Sequence, residues 1–234
     1  MIILISPAKT FSKNPSTSLQ TPMFVKESFV LQKKLKRLSI DDIMKHMQIS
    51  KKLANTVYDD YQNFNLNHHL AIESYQGQVY KALQYQSLSE PEKAYIQQRL
   101  YIISGLYGLV RPLDGISFYR LEIKDQTIMN LYEYWKPVIK KYIHETHKDE
   151  IVISLLSNEY EKVIEDIAHI SINFTAKENI HSMALKTLRG HFLRAMAIHQ
   201  VHDLKTLKKM SVDGFSFDEN LSTHSQYFFR RDEE

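Results

Sequence analysis

The sequence predicts an α/β fold: a single compact domain whose small, mixed and partly parallel central sheet is surrounded by many helices. Two buried-strand patterns far apart in the chain, amphipathic stretches between and after them, and the lack of any linker composition carry this expectation. Ile2 to Ile5 form a continuous apolar run closed by Ser6-Pro7, the pattern of a strand buried on both faces. "IVISLLS" at 151–157 reads the same way, and shorter strands are expected at 170–175, 179–184, 213–217 and 225–230. Roughly 145 mainly helical residues separate the first two strands, too many for a simple crossover, so an inserted helical element is expected there.

Phe24, Leu31, Leu35 and Leu38 fall on one stripe of a helix, with Lys26, Lys33, Lys36 and Arg37 opposite. Leu131, Trp135, Val138 and Tyr142 make a second stripe, and Pro137 within it predicts a kink or a helix start nearby. Tyr160, Val163, Ile164 and Ile167 repeat the pattern after Ser157, whose hydroxyl suits a helix cap. With no internal repeat, low-complexity tract or Pro/Gly-rich linker, residues 1–234 read as one domain.

Composition narrows the chemistry. The 43% hydrophobic and 24% charged fractions are ordinary globular values, and a chain of this size buries roughly 70–75% of its unfolded surface. A net charge of +3 permits a polyanionic partner, but only clustered cations would steer one. The absence of cysteine removes disulfides, thiolate nucleophiles and cysteine-ligated metals. "MIILIS" lacks a basic leader and is too short to span a bilayer, so a cytoplasmic protein with no membrane partner is expected.

"SGLYGLVRPLDGISFYRLE" at 104–122 holds three of the six glycines. Gly105 and Gly108 suit either close helix packing or a left-handed helix end, and "PLDG" suits a type I turn. Arg111, Asp114, Arg120 and Glu122 either pair among themselves or leave the arginines free for a phosphate. No phosphate-loop or dinucleotide fingerprint is present, and no strand clearly precedes Gly105.

"IDDIMKHM" at 40–47, Gln48-Ile49 and "SKKLANTVYDDY" at 50–61 read as two short helices joined by a tight turn. Ser50 as N-cap, with Lys51 and Lys52 in the first turn of the second helix, is a physical recipe for holding a phosphate. Residues 26–52 carry eight Lys or Arg against three acids. Lys186, Arg189 and Arg194 form a second basic set beside Gly190, which admits a close neighbour or ligand. If the first two strands are parallel, Ser6, Lys9, Thr10, Ser157 and Asn158 emerge on one edge, where a cleft lined by Lys9, Arg111, Arg120 and Arg189 is the expected site.

Eleven histidines include "HETH" at 144–147 and "HQVH" at 199–202, but neither pair has an identifiable third ligand, so no metal or cofactor is expected. Ser6, Ser104 and Ser157 lack a nucleophile-elbow motif, and Asp41-Asp42 and Asp59-Asp60 are adjacent rather than cofacial. No catalytic residue can be named from these patterns.

"ISPAKT" at 5–10, "GQVYKAL" at 77–83, "SGLYGLVRPLD" at 104–114, "YRLE" at 119–122, "LYEYW" at 131–135, "SNEY" at 157–160, "LRGHFLRAMA" at 188–197 and the ending "YFFRR" together resemble the YaaA peroxide-stress family over nearly the whole chain. The resemblance implies a cytoplasmic protein that limits iron-dependent peroxide damage and binds DNA through a helix-hairpin-helix element and a basic groove, with no established reaction. The element falls at about residues 40–61, although its turn lacks the glycine usual in such hairpins. Non-specific binding of double-stranded DNA through Ser50, Lys51, Lys52 and the cleft is one expectation. The other is an enzyme acting on a nucleotide or other phosphorylated small molecule, with Lys9, Arg111 and Arg120 as clamp and Ser157 or Glu122 in the reaction.

Overall fold

The computed structural model describes residues 1–64 and 68–231. At its centre five strands run parallel in the order β3 (Leu100–Ser104), β1 (Ile2–Ile5), β6 (Val152–Leu155), β7 (Ile170–Ala176) and β10 (Gln226–Arg231). Antiparallel strands flank them: β4 (Gly108–Val110) beside β3, and β9 (Phe215–Asp218) followed by β8 (Ser211–Val212) beside β10. A separate ribbon pairs β2 (His69–Leu70) with β5 (Gly115–Ile116). The mixed, mostly parallel sheet is the architecture expected, and β1, β3 and β6 are buried along their whole length, as strands covered on both faces must be.

The long connection from β1 to β3 carries α1 (Val25–Leu35), α2 (Ile40–Met47), α3 (Lys51–Gln62), α4 (Ala71–Ser74), α5 (Gln78–Leu83) and α6 (Glu90–Arg99). After β5 come α7 (Leu131–Thr146), α8 (Asn158–Glu161), α9 (Ser182–Ile198) and α10 (Leu204–Lys208). The insertion between the first two sequence-expected strands is therefore not purely helical, because it contains β3 and its edge partner. "LYIIS" is a five-residue buried run whose brevity after a helical segment disguises it as the helix's continuation. The strand expected at 179–184 is instead coil to residue 181 and then the first residues of α9, in which Leu188, Phe192 and Met196 recur every four residues and bury one helical face.

β3 leads directly into Gly105, so the glycines of "SGLYG" build a strand-to-strand turn rather than a helix end. Gly108 adopts φ +71°, open to glycine at little cost, and the Trp135 ring packs where a side chain would stand. The following turn forms one residue earlier than "PLDG" suggests, with the Asp114 N–H donating to the Arg111 carbonyl at 3.1 Å. In α7, Asn130 accepts from the Tyr132 N–H at 3.1 Å and starts the helix, which runs through Pro137. Its buried face is Leu131, Trp135, Ile139 and Ile143, so Val138 and Tyr142 lie on the margin of the stripe and not at its centre.

The helical pair at 40–61 forms as read. Ser39 caps α2 by accepting the Asp42 N–H at 3.1 Å while the Asp42 carboxylate accepts the Ser39 N–H at 3.0 Å, a reciprocal capping box. These bonds from Ser39 hold the Asp42 carboxyl below its usual range. Gln48 takes the left-handed conformation (φ 51°, ψ 48°) that a glycine would usually supply, and Ser50 then caps α3 through the Leu53 N–H at 3.4 Å. Replacement of Ser39 by alanine removes one cap from a short helix and is expected to lower the melting temperature by about 2–4 °C, measured by thermal unfolding.

Candidate functional site

β1 and β6 are adjacent and parallel, with Ile2 to Ile5 in register with Val152 to Leu155. The chain leaves β1 toward β3 on one side and leaves β6 toward β7 on the other, so their carboxyl ends form a topological switch point. Ser6 and Ser157 follow these ends. The Ser157 N–H donates to Ser6 Oγ at 2.9 Å, and the two hydroxyl oxygens lie 3.3 Å apart. The Ser157 hydroxyl makes no cap bond to α8, contrary to its expected role, because it faces Ser6.

A cavity of about 310 Å³ opens over this pair. One wall carries Lys9 after β1; a second carries Arg120, Leu121 and Glu122; a third carries Lys186 and Arg189 from α9. The segment from 76 to 81, which begins α5, closes it from another side. Lys9 Nζ lies 2.8 Å from Glu122 Oε1, with Lys9 more than half exposed, so this pair contributes little to stability. Among the described residues, Arg120, Lys186 and Arg189 make no ion pair, and Arg189 Nε is a buried donor without an acceptor. Burial pushes the Arg189 guanidinium below its usual value, with Glu161 pulling it part of the way back.

Three tyrosines absent from the sequence-derived site complete the cavity: Tyr80, Tyr119 and Tyr160. Tyr80 donates to the Ser6 carbonyl at 3.0 Å, and the Tyr119 hydroxyl sits 2.7 Å from Ser104 Oγ and 2.8 Å from the Tyr75 hydroxyl. Burial pushes all three phenols above their usual range, so they are neutral at physiological pH. Each belongs to a sequence motif, "GQVYKAL", "YRLE" and "SNEY", but an aromatic in an apolar stripe signals core as readily as pocket wall.

A second hollow of about 340 Å³ shares Arg120 and Glu122 with the first and extends to His46 and Met47 at the end of α2, past Lys124 and Thr127. The Tyr61 hydroxyl of α3 donates to the Arg120 carbonyl and ties the hairpin to this segment. The two hollows therefore share Arg120 and Glu122, one lying at the switch point and the other at the end of α2. Lys51 and Lys52 stand exposed immediately beyond that turn.

Of the cations expected in one cleft, Lys9, Arg120 and Arg189 come together beside Ser157, and Lys186 of the second basic set joins them. Arg111 does not. Its guanidinium donates to the Gln97 carbonyl at 2.6 Å and lies over the Tyr101 ring, because the turn that follows β4 carries it away from the switch point. Asp114 accepts the Arg111 backbone N–H rather than its guanidinium, so among the described residues the four charges do not pair among themselves, one of the two arrangements the sequence allowed. Arg194 also lies elsewhere: its guanidinium binds the Leu83 and Gln84 carbonyls at 2.8 and 3.1 Å, closing the end of α5. Five residues beyond Arg189, it points well round the helix from the cavity face. Gly190 receives a neighbour, α5, rather than a ligand.

Among the described residues, no three His, Asp or Glu converge as metal ligands. His147 of "HETH" is held between the Tyr101 hydroxyl at 2.9 Å and the Glu150 carboxylate at 2.7 Å. No helix of the described residues is long and apolar enough to cross a membrane.

Comparison with known proteins matches residues 1–221 to the family model of the peroxide stress protein YaaA. A UPF0246 protein of Francisella philomiragia is 33% identical over 99% of this chain and 100% of its own length. Others from Marinomonas sp. and Clostridium perfringens are 35% and 31% identical, covering 100% and 99% of this chain and 98% and 100% of their own. A family model spanning nearly the whole sequence, and full-length relatives at this identity, mean that the chain belongs to the peroxide stress protein YaaA family.

Proposed function

We propose that this family member acts in peroxide stress in the cytoplasm by binding nucleic acid without sequence preference, double-stranded DNA above all. Its contacts are the α2–α3 turn, with Ser50, Lys51 and Lys52, and the hollow lined by Arg120. The exposed lysines at the start of α3 carry this reading, together with Arg120, which makes no ion pair among the described residues and lines the hollow that reaches the end of α2. Helix-start N–H groups and lysines grip phosphate oxygens, which position a duplex without reading its bases. Lysines that cover phosphates also release condensed counterions. Ferrous iron would be displaced with them, so peroxide would meet less iron beside the polymer.

Fluorescence anisotropy on unrelated duplexes of equal length tests this reading. Affinity should fall linearly on a log–log plot against salt, and Lys51→Glu combined with Lys52→Glu should weaken every duplex by roughly 10-fold or more and flatten the salt slope by about two. Salt-independent binding, strong preference for one sequence, or an unaffected double variant would refute it.

A further inference from the structure

The cavity over Ser6 and Ser157 has features that a surface gripping a polymer backbone does not require. It sits at the switch point between oppositely departing strands, the place where open α/β sheets bind small ligands. Its volume, about 310 Å³, lies at the small end of the ligand-pocket range. Tyr80 and Tyr119 commit their hydroxyls to Ser6, Ser104 and Tyr75, so they offer the cavity aromatic surface more than polar tips. Val79, Leu121 and Leu155 extend that apolar lining.

The same cavity also carries cations. Lys186 and Arg189 stand three residues apart on α9 and so share a helix face. A buried guanidinium N–H without an acceptor is costly, and an anionic oxygen from a ligand would relieve it. Glu122, Glu159 and the two serine hydroxyls supply the remaining hydrogen-bonding groups. A molecule matching this lining carries a phosphate, hydroxyls and a planar aromatic ring.

We propose that the switch-point cavity binds a free nucleoside monophosphate, its phosphate on Arg189 and Lys186 and its base among Tyr80, Tyr119 and Tyr160. This site shares Arg120 with the duplex-binding reading above, but neither Lys51 nor Lys52 lines the cavity, so experiment can separate the two. It is a binding site, and no bond-making step is assigned to it.

Calorimetric titration of the full-length protein with AMP, GMP, CMP and UMP, each compared with its nucleoside and with inorganic phosphate, tests the proposal. At least one monophosphate should saturate the protein and bind roughly 10-fold or more tightly than either its nucleoside or phosphate alone. Arg189→Met, which keeps the apolar stem, should weaken that monophosphate about 10-fold and leave the nucleoside unchanged; Arg189→Lys should restore part of the loss. Lys186→Gln, at an exposed position where misfolding is no concern, should weaken it a few-fold. No saturation by about 10 mM of any monophosphate, or unchanged affinity in both Arg189→Met and Lys186→Gln, would overturn the proposal. So would cavity variants that abolish duplex binding in a protein blind to monophosphates, since the cavity would then serve the polymer alone. Failure of duplex binding in Lys51→Glu/Lys52→Glu, with monophosphate affinity intact, would separate the two sites.

Discussion

Gly105→Ala is expected to lower the melting temperature by roughly 6–12 °C, which corresponds to about 3 kcal/mol of overpacking in a chain of this length. A Cβ at this position would stand 2.4 Å from the Leu121 carbonyl oxygen and 3.1 Å from its carbonyl carbon. Both are backbone atoms of a buried segment, so no rotamer change can relieve the clash. Trp135 limits movement from the other side, because its Nε1–H donates to the Gly105 carbonyl at 2.9 Å. The neighbouring Arg120 and Glu122 should shift with Leu121, so ligand and duplex affinity should fall in whatever protein remains folded. Thermal unfolding with an unchanged melting temperature would show that the 105 and 121 segments do not approach this closely.

The second large effect is a pH-dependent gain. Asp114 is 5% exposed, and burial pushes its carboxyl up to about 6, with the Arg111 backbone N–H and guanidinium charge pulling the other way. A carboxyl whose folded value lies above its unfolded one binds its proton more tightly in the native state. Its contribution to stability is therefore greatest below about pH 4, declines through the interval up to about pH 6, and stays at its lowest above that. Asp114→Asn keeps an oxygen for the Arg111 N–H, 2.8 Å away in the native protein, and removes the charge. The variant should be about 2 kcal/mol more stable than the native protein at pH 7.5 and no more stable at pH 4. Denaturant titrations at the two pH values check this. An equal difference at both, or a loss at pH 7.5, would mean that the buried carboxylate is compensated at neutral pH.

Much of the architecture follows from local pattern. Ile2 to Ile5 and "IVISLL" announce central parallel strands because their apolar runs have no polar face to offer solvent. The α2–α3 pair is legible from Ser50 and the amphipathic spacing around it, while its turn shows that a glutamine can take a left-handed position usually given to glycine. β3 was hidden because "LYIIS" follows α6 without punctuation, and a short apolar run suits helix and strand alike. For the same reason the beginning of α9 reads as a strand until Leu188, Phe192 and Met196 are seen to recur on one face.

The site divides along the same line. Lys9 and Ser157 could be placed because each directly follows a recognisable strand, and strand ends have a defined position in an α/β sheet. Arg111 and Arg120 lie nine residues apart in one glycine-rich stretch, yet one stacks on Tyr101 while the other reaches the cavity. That separation depends on the turn after β4, where the local residues permit more than one path. Arg189, placed in the cleft from the sequence, lines the cavity from α9, whereas Lys186 and the three tyrosines from three distant segments join it through packing that no local spacing encodes.

By itself, then, the amino-acid order determined the fold class, the two central strands, the helical hairpin and the family, because hydrophobic period, capping residues and motif order are properties of neighbours along the chain. Only the tertiary structure decided which cations share a cavity, which are tied to carbonyl groups, and that aromatic walls face them, because those outcomes depend on long-range packing and desolvation between segments far apart in sequence.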